Sequence, residues 1–175
     1  MLVQDESLLR TPCKQVEDPM GEGLEIARQL SSVLRKYEGI GLAANQIGLD
    51  RQVCIISVPG DEHYYEQFFV NPKITEFSNP IRFPEEGCLS FPDDNIETLR
   101  FESVFVVDAL SPEGRRLTGL SAVVAYHEID HLMGITMFDR KIKNIGVNDK
   151  CPCLSGLKFK KCCRGKIKAY KDNEA

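Results

Sequence analysis

No stretch of the 175 residues approaches the roughly 20 consecutive apolar residues that a membrane span requires. The opening, MLVQDESLLRTPCKQVEDP, also lacks the basic leader and apolar run of a secretory signal, and the Arg/Ser-rich character of a transit peptide. These absences lead to the expectation of a cytoplasmic protein with no membrane partner. No internal repeat recurs along the chain. Histidine is scarce, with only three residues, so a metal-like spacing between two of them carries weight.

Cysteine is not scarce, but it is unevenly spread. Cys151, Cys153, Cys162 and Cys163 crowd the last quarter, whereas Cys13, Cys54 and Cys88 stand alone. Without an export signal, a disulfide scaffold is disfavoured and clustered thiols point to metal. Cys13 and Cys54 read as small buried hydrophobes. Charge is split too: the net −4 divides into −12 for residues 1–139 and +8 for residues 140–175. An acidic body with a basic arm is expected, and such an arm suits nucleic acid or another acidic surface. The length fits one compact domain and a short appendage.

Over 20–37, Leu24, Ala27, Leu30, Val33, Leu34 and Tyr37 recur at three- and four-residue intervals, which predicts an amphipathic helix ended by Gly39. The runs 53–58, 68–77 and 96–110 are rich in β-formers, with SPEG (111–114) expected as a turn before 115–120. A second helix, apolar on several sides, is predicted over 121–133. The expected fold is α+β, with antiparallel sheets packed around that helix.

That helix carries His127-Glu128-Ile129-Asp130-His131, an HExxH pattern. Four residues is just over one turn, so both imidazoles project from one face and can share a metal, with Glu128 beside them as a base. Catalytic sites usually add a third protein ligand and leave a position open. A metzincin protease would supply a histidine at position 137, which is Met137. A thermolysin-like protease would supply a downstream Glu, but only Asp149, Asp172 and Glu174 follow Asp139. Upstream, Glu86-Gly87-Cys88-Leu89-Ser90 offers a cysteine. A zinc endopeptidase and an inactive metal-binding adaptor remain the competing readings at this point.

The strings GIGLAANQ (39–46), EEGCLS (85–90) and HEIDH (127–131), in this order, resemble the three signature motifs of the peptide deformylases. The similarity runs over about residues 1–142. It implies hydrolysis of the N-formyl group from formyl-methionyl polypeptides, with Cys88, His127 and His131 as metal ligands and Glu128 as general acid/base. It assigns the oxyanion to the Gln46 side-chain amide and the Leu89 backbone N–H. It places a methionine pocket and the substrate backbone near Ile40, Gly41, Leu42, Glu86, Gly87, Val123 and Val124. A thiolate with two imidazoles suits Fe2+, Ni2+, Co2+ or Zn2+, and the resemblance implies Fe2+. One departure is Asn95, where many family members carry an arginine that holds the substrate backbone.

A second departure follows the FDR segment. Where many members continue into a helix, residues 148–165 present C-x-C, eight intervening residues and a cysteine pair. The pattern is similar to the SEC-C motif at the end of the bacterial preprotein translocase ATPase, with Lys150, Leu154 and Leu157 differing from the usual residues. Four thiolates so spaced fit a closed, structural Zn2+ site. The expected organisation is a catalytic domain over 1–142, a zinc knuckle over 146–166 and a basic, flexible tail over 167–175. Zinc and four thiolates together contribute about −2, which leaves the arm basic. Ribosomal RNA, the ribosome more broadly or a protein partner are its expected targets.

Overall fold

The computed structural model describes residues 2–59 and 64–171. Its first element, α1 (Glu6–Leu9), is a single turn capped by Asp5, whose carboxylate accepts the Ser7 N–H at 2.8 Å. A π-turn at Pro19–Gly23 leads into α2 (Leu24–Tyr37), which buries Ile26, Ala27, Leu30 and Leu34. The buried face is rotated from the expected one: Ile26 is inside, while Tyr37 is exposed. The helix stop also differs. Glu38, not Gly39, takes the left-handed conformation (φ 52°) and closes the helix by donating its N–H to the Leu34 carbonyl.

Two sheets follow, antiparallel throughout except at the short β7 edge. The first has the order β1 (Gly41–Ala43), β2 (Val53–Pro59), β3 (Tyr64–Val70). The second has the order β6-β5-β4-β7, built from β4 (Lys73–Cys88), β5 (Phe91–Asp108), β6 (Ser111–Thr118) and β7 (Lys168–Ala169). The run 68–77, read as one strand, is therefore divided between sheets. The break falls at Asn71, whose left-handed backbone (φ 50°) is held by paired hydrogen bonds between its side-chain amide and the Val16 backbone. The expected SPEG turn is strand. The chain reverses at Ala109–Leu110 instead, where the Asp108 carboxylate accepts the Leu110 N–H at 2.9 Å.

The period-2 alternation of β2 supplies two cores. Cys54, Ile56 and Val58 face α3 (Gly119–Leu132), while Val53 and Ile55 face α2. Each such fully buried aliphatic side chain contributes about 1.5–3 kcal/mol relative to exposure. Helix α3 packs on β1 and β2 of one sheet and β5 and β6 of the other, and every residue from Ala122 to Leu132 is buried. This central position explains why it is apolar on several sides. Of the three isolated cysteines, Cys13 and Cys54 lie buried in the α3 core.

The knuckle is docked, not dangling. Cys151, Phe159 and Cys163 belong to the same buried cluster as Tyr126 and Ile129 of α3. Residues 167–171, expected to begin a flexible tail, carry β7. It pairs in parallel with Ile81–Arg82, and Tyr170 meets Phe83 edge-on at 4.9 Å between ring centroids. The rest of that tail, 172–175, lies outside the described residues. Among the described residues, no helix is long and apolar enough to cross a membrane.

Candidate metal centre and active site

One helical turn of α3 brings His127 and His131 together, with their Nε2 atoms 3.1 Å apart. Cys88, the last residue of β4, places its Sγ 3.3 Å from His131 Nε2. Metal bonds of about 2.0–2.3 Å at tetrahedral angles would set neighbouring donors roughly 3.3–3.6 Å apart. One thiol and two imidazoles converging close to that spacing can hold a transition metal.

The supporting bonds fix the ligands. His127 Nδ1 donates to Glu86 at 2.6 Å, which leaves Nε2 to serve as the donor atom. Glu86 accepts also from Thr98 Oγ1 at 2.5 Å, Arg100 Nε at 2.7 Å and Arg100 Nη2. Burial opposes ionisation of Glu86, but the Arg100 guanidinium and the bonds from Arg100 and His127 hold its carboxyl well below the usual range. For His127, burial disfavours the cation, yet the hydrogen bond with Cys88 and the contacts with Glu86 outweigh it and raise its pKa. Metal ligation there releases that proton. His131 is pushed the other way, by burial and then by His127, and is neutral.

Glu128 stands beside the ligands, 4% exposed, with Oε2 buried and without a hydrogen-bond partner. Burial, above all, pushes its carboxyl up to about 7. Such a group takes and returns a proton readily near neutral pH. Gln46, in the short 3-10 turn Ala44–Ile47, accepts the Ala43 N–H at 2.8 Å through Oε1. That bond aims Nε2 at the site, 3.2 Å from Ser90 Oγ and 3.5 Å from Cys88 Sγ.

A cavity of about 720 Å³ opens over these groups, with Ile40, Leu89, Leu120, Val123 and Val124 among its apolar walls and Gly41, Glu86 and Gly87 along its rim. Leu42, expected in this pocket, is not there. It is one residue on from Gly41 in β1, so strand alternation sends it into the α2 core, fully buried. Glu86 has its carboxylate committed to Thr98, Arg100 and His127, so its expected substrate contact falls to other atoms than its side-chain oxygens. Asn95 pairs with Gly87 across the β4–β5 hairpin, its Oδ1 lying over the glycine Cα.

Sequence reasoning missed Thr98, Arg100 and Arg140, which hold the ligand set from behind. The available signal was Arg100 inside the apolar run IETLRFESVFVV, where a charge on a buried strand demands partners.

In the knuckle, the Sγ atoms of Cys151, Cys153, Cys162 and Cys163 all lie within 4.8 Å of one another, and none is in a disulfide. Left-handed Leu154 and Gly156 (φ 62° and 78°) turn the chain so that Cys153 reaches within 3.4 Å of Cys162. Burial opposes ionisation of Cys153, but hydrogen bonds from Ser155 bring its thiol down to about 7. Four convergent thiols fit a closed metal site.

Residues 1–146 match the family model described as polypeptide deformylase, and residues 148–165 match that of the SEC-C motif. The chain belongs to the peptide deformylase family. A peptide deformylase from Aquifex aeolicus is 36% identical over 146 residues, covering 80% of this chain and 85% of its own length. A probable peptide deformylase from Synechococcus phage S-SSM7 superposes with a TM-score of 0.71 at 36% identity, over 80% of this chain and 98% of that one. A class I type b peptide deformylase from Acinetobacter baumannii, solved with Met-Ala-Ser bound, gives 0.67 at 28% identity, over 80% and 96%. Deformylase membership implies removal of the N-formyl group from nascent polypeptides and a catalytic metal.

Proposed function

We propose that the chain hydrolyses the formamide of formyl-methionyl peptides, with Cys88, His127 and His131 holding Fe2+ in the cell and with Glu128 moving the proton. The observation that carries this reading is the convergence of those three donors beside a buried, unpartnered Glu128 carboxylate at the floor of an apolar cavity. When bound, the metal supplies Lewis acidity, polarising the formyl oxygen and lowering the pKa of water at its open position towards about 7. Glu128 then accepts the water proton at the oxygen that has no other partner and delivers it to the departing amine. Gln46 Nε2 and the Leu89 N–H donate to the oxyanion that develops on the formyl oxygen as water adds to its carbon, a donor being worth about 10²- to 10³-fold. Ile40, Val123 and Val124, with Leu89 and Leu120, receive the methionine side chain. The substrate backbone passes along Gly41 and Gly87. Asn95, shorter and uncharged, contributes no cationic clamp on that backbone, which favours a weaker hold on short peptides. Binding of Met-Ala-Ser by the Acinetobacter relative supports a peptide of this form in the cavity.

Formate release from formyl-Met-Ala-Ser by Fe2+- or Ni2+-loaded protein tests the reading, with a blocked internal peptide and the Glu128→Ala variant in parallel. Release from the formylated peptide by wild type alone is expected. Cleavage of the internal peptide would favour an endopeptidase, and no turnover would favour an adaptor.

The knuckle's Zn2+ has a structural part in this reading, since all four thiols are committed. Its exposed Lys150, Lys158, Lys160, Lys161, Arg164, Lys166 and Lys168 form a basic surface suited to rRNA phosphates. Reversing Lys158, Lys160 and Lys161 to Glu should weaken ribosome co-sedimentation and flatten its salt dependence; unchanged binding would sink rRNA docking and leave a protein partner.

A further inference from the structure

A chain of buried side chains joins the two metal-ligand clusters. At the knuckle end, the Pro152 carbonyl lies between Cys151 and Cys153 and accepts from Arg140 Nη1 at 2.9 Å. Arg140 grips Asp130 with two bonds, Nε to Oδ2 at 2.9 Å and Nη2 to Oδ1 at 2.5 Å. Asp130 Oδ2 also accepts from Arg100 Nη1 at 2.6 Å. Arg100 passes the connection to Glu86, and Glu86 to His127 Nδ1. Two guanidinium cations and two carboxylates alternate along this path, so their buried charges balance. No member from Glu86 to Arg140 is more than 7% exposed, so salt and water screen little of it.

Packing reinforces the path. Both guanidinium carbons lie over the Tyr126 ring, Arg140 at 4.8 Å and Arg100 at 5.4 Å from its centroid. The segment after Arg140 is tied to β5 by the Ile142 N–H to the Glu97 carbonyl at 3.1 Å. The C-x-C turn is braced by its backbone, the Cys151 N–H donating to the Leu157 carbonyl at 2.8 Å and the Leu154 N–H to the Cys151 carbonyl at 3.0 Å, and by the burial of Cys151 and Pro152. A metal held by Cys151 and Cys153, on either side of Pro152, would tighten that carbonyl's position further.

We propose that Arg140 is a positioning residue through which the metal-loaded knuckle holds the catalytic centre: the Pro152 carbonyl orients Arg140, and Asp130, Arg100 and Glu86 transmit that orientation to His127. The inference rests on the reading of Cys88, His127 and His131 as the catalytic ligands. It makes the knuckle a support of the chemistry as well as a docking surface. Because Pro152 and Arg140 lie away from the substrate cavity, the support acts on turnover and on metal retention, not on substrate affinity.

The test uses the full chain loaded with Ni2+ and three variants: Cys153→Ala/Cys162→Ala, which removes the two partly exposed thiols; Arg140→Gln; and all three changes together. Measured are kcat and KM for formyl-Met-Ala-Ser, and the rate at which a chelator strips Ni2+ from the Cys88 site, followed by its visible absorption. Loss of a supporting contact behind a ligand typically costs about 10- to 100-fold. The thiol variant should lose about tenfold in kcat with KM within about twofold, and should release Ni2+ about tenfold faster. Arg140→Gln should do the same, and the combined variant no more than either, since both break one path. Unchanged kcat and stripping in the thiol variant, or losses that multiply in the combined one, would overturn the proposal. Should Arg140→Gln not fold, the thiol variant decides alone. A wild type without deformylase turnover would sink the activity reading, and stripping rates would still judge the coupling.

Discussion

The two clusters of candidate metal ligands reach convergence by opposite routes. Cys88 meets His127 and His131 across about forty residues of chain, and only because a strand end and a central helix are already packed into one core. The knuckle gathers its four thiols within thirteen consecutive residues, with Phe159 as its one fully apolar anchor. In the first region the fold makes the metal site. In the second a few buried contacts dock a short segment on α3, and a metal on its four thiols would add most to its stability. The first keeps a cavity over an incomplete donor set, as a reacting site needs, while the second commits four thiols and leaves no position for a substrate.

The sharpest way to break that comparison is to withdraw both metals. Zinc contributes about 10–16 kcal/mol to the folding of small thiol-bound modules. Chelation should open residues 144–171 to proteolysis and rapid amide exchange while leaving the sheets and α3 protected. Persistent protection of the knuckle would mean that packing, not metal, holds it.

The next effect belongs to the body alone. Glu128→Ala should lower kcat by about 10²- to 10⁴-fold. The variant should still retain catalytic metal, because Glu128 is outside the donor set; loss of metal would make Glu128 a ligand and the comparison false.

Much of both regions was legible because their chemistry is written in short strings: the two histidines of HEIDH on one helical face and EEGCLS at a strand end in the body, CPC and CC at thiol spacing in the knuckle. What escaped was long-range. Arg100, Asp130 and Arg140 read as ordinary strand and helix charges until the fold buries them against one another. Leu42 was placed in the methionine pocket by the family resemblance, whereas a strand turns successive side chains to opposite faces and sends it into the α2 core. The boundary between β3 and β4 depended on a left-handed Asn71, and β7 on an edge of β4 that no local pattern announces.

A third measurement sharpens the electrostatic side of the comparison. Burial raises the Glu128 carboxyl from the ordinary glutamate value of about 4.5 to about 7 in the metal-free protein. Between those values the native state holds a proton that the unfolded chain has released, so stability falls as pH rises through that window. Glu128→Gln stays neutral and escapes the loss. The variant should gain on wild type by about 3 kcal/mol between pH 4.5 and 7 and hold that margin above, as read from denaturant midpoints. A difference that does not change with pH would show that the carboxylate is solvated.

The smallest effect probes how closely backbone and catalytic carboxylate meet. A Cβ at Gly41 would stand 2.4 Å from Glu128 Oε1 and 2.7 Å from Val124 Cγ1. A Cβ at Gly39 would instead meet the ends of Leu34 and Leu89, both at 2.8 Å, which are flexible side-chain tips. Overpacking of this kind costs about 1–3 kcal/mol, or roughly 2–4 °C in Tm per kcal/mol for a chain of this size. Both glycine-to-alanine changes should therefore lower Tm by a similar amount. Only Gly41→Ala forces the proton carrier from its position, so its kcat should fall well beyond that of Gly39→Ala. Equal kcat losses would place the constraint in the cavity wall and not at Glu128. That result would also weaken the claim that the body, unlike the knuckle, builds its chemistry from packing alone.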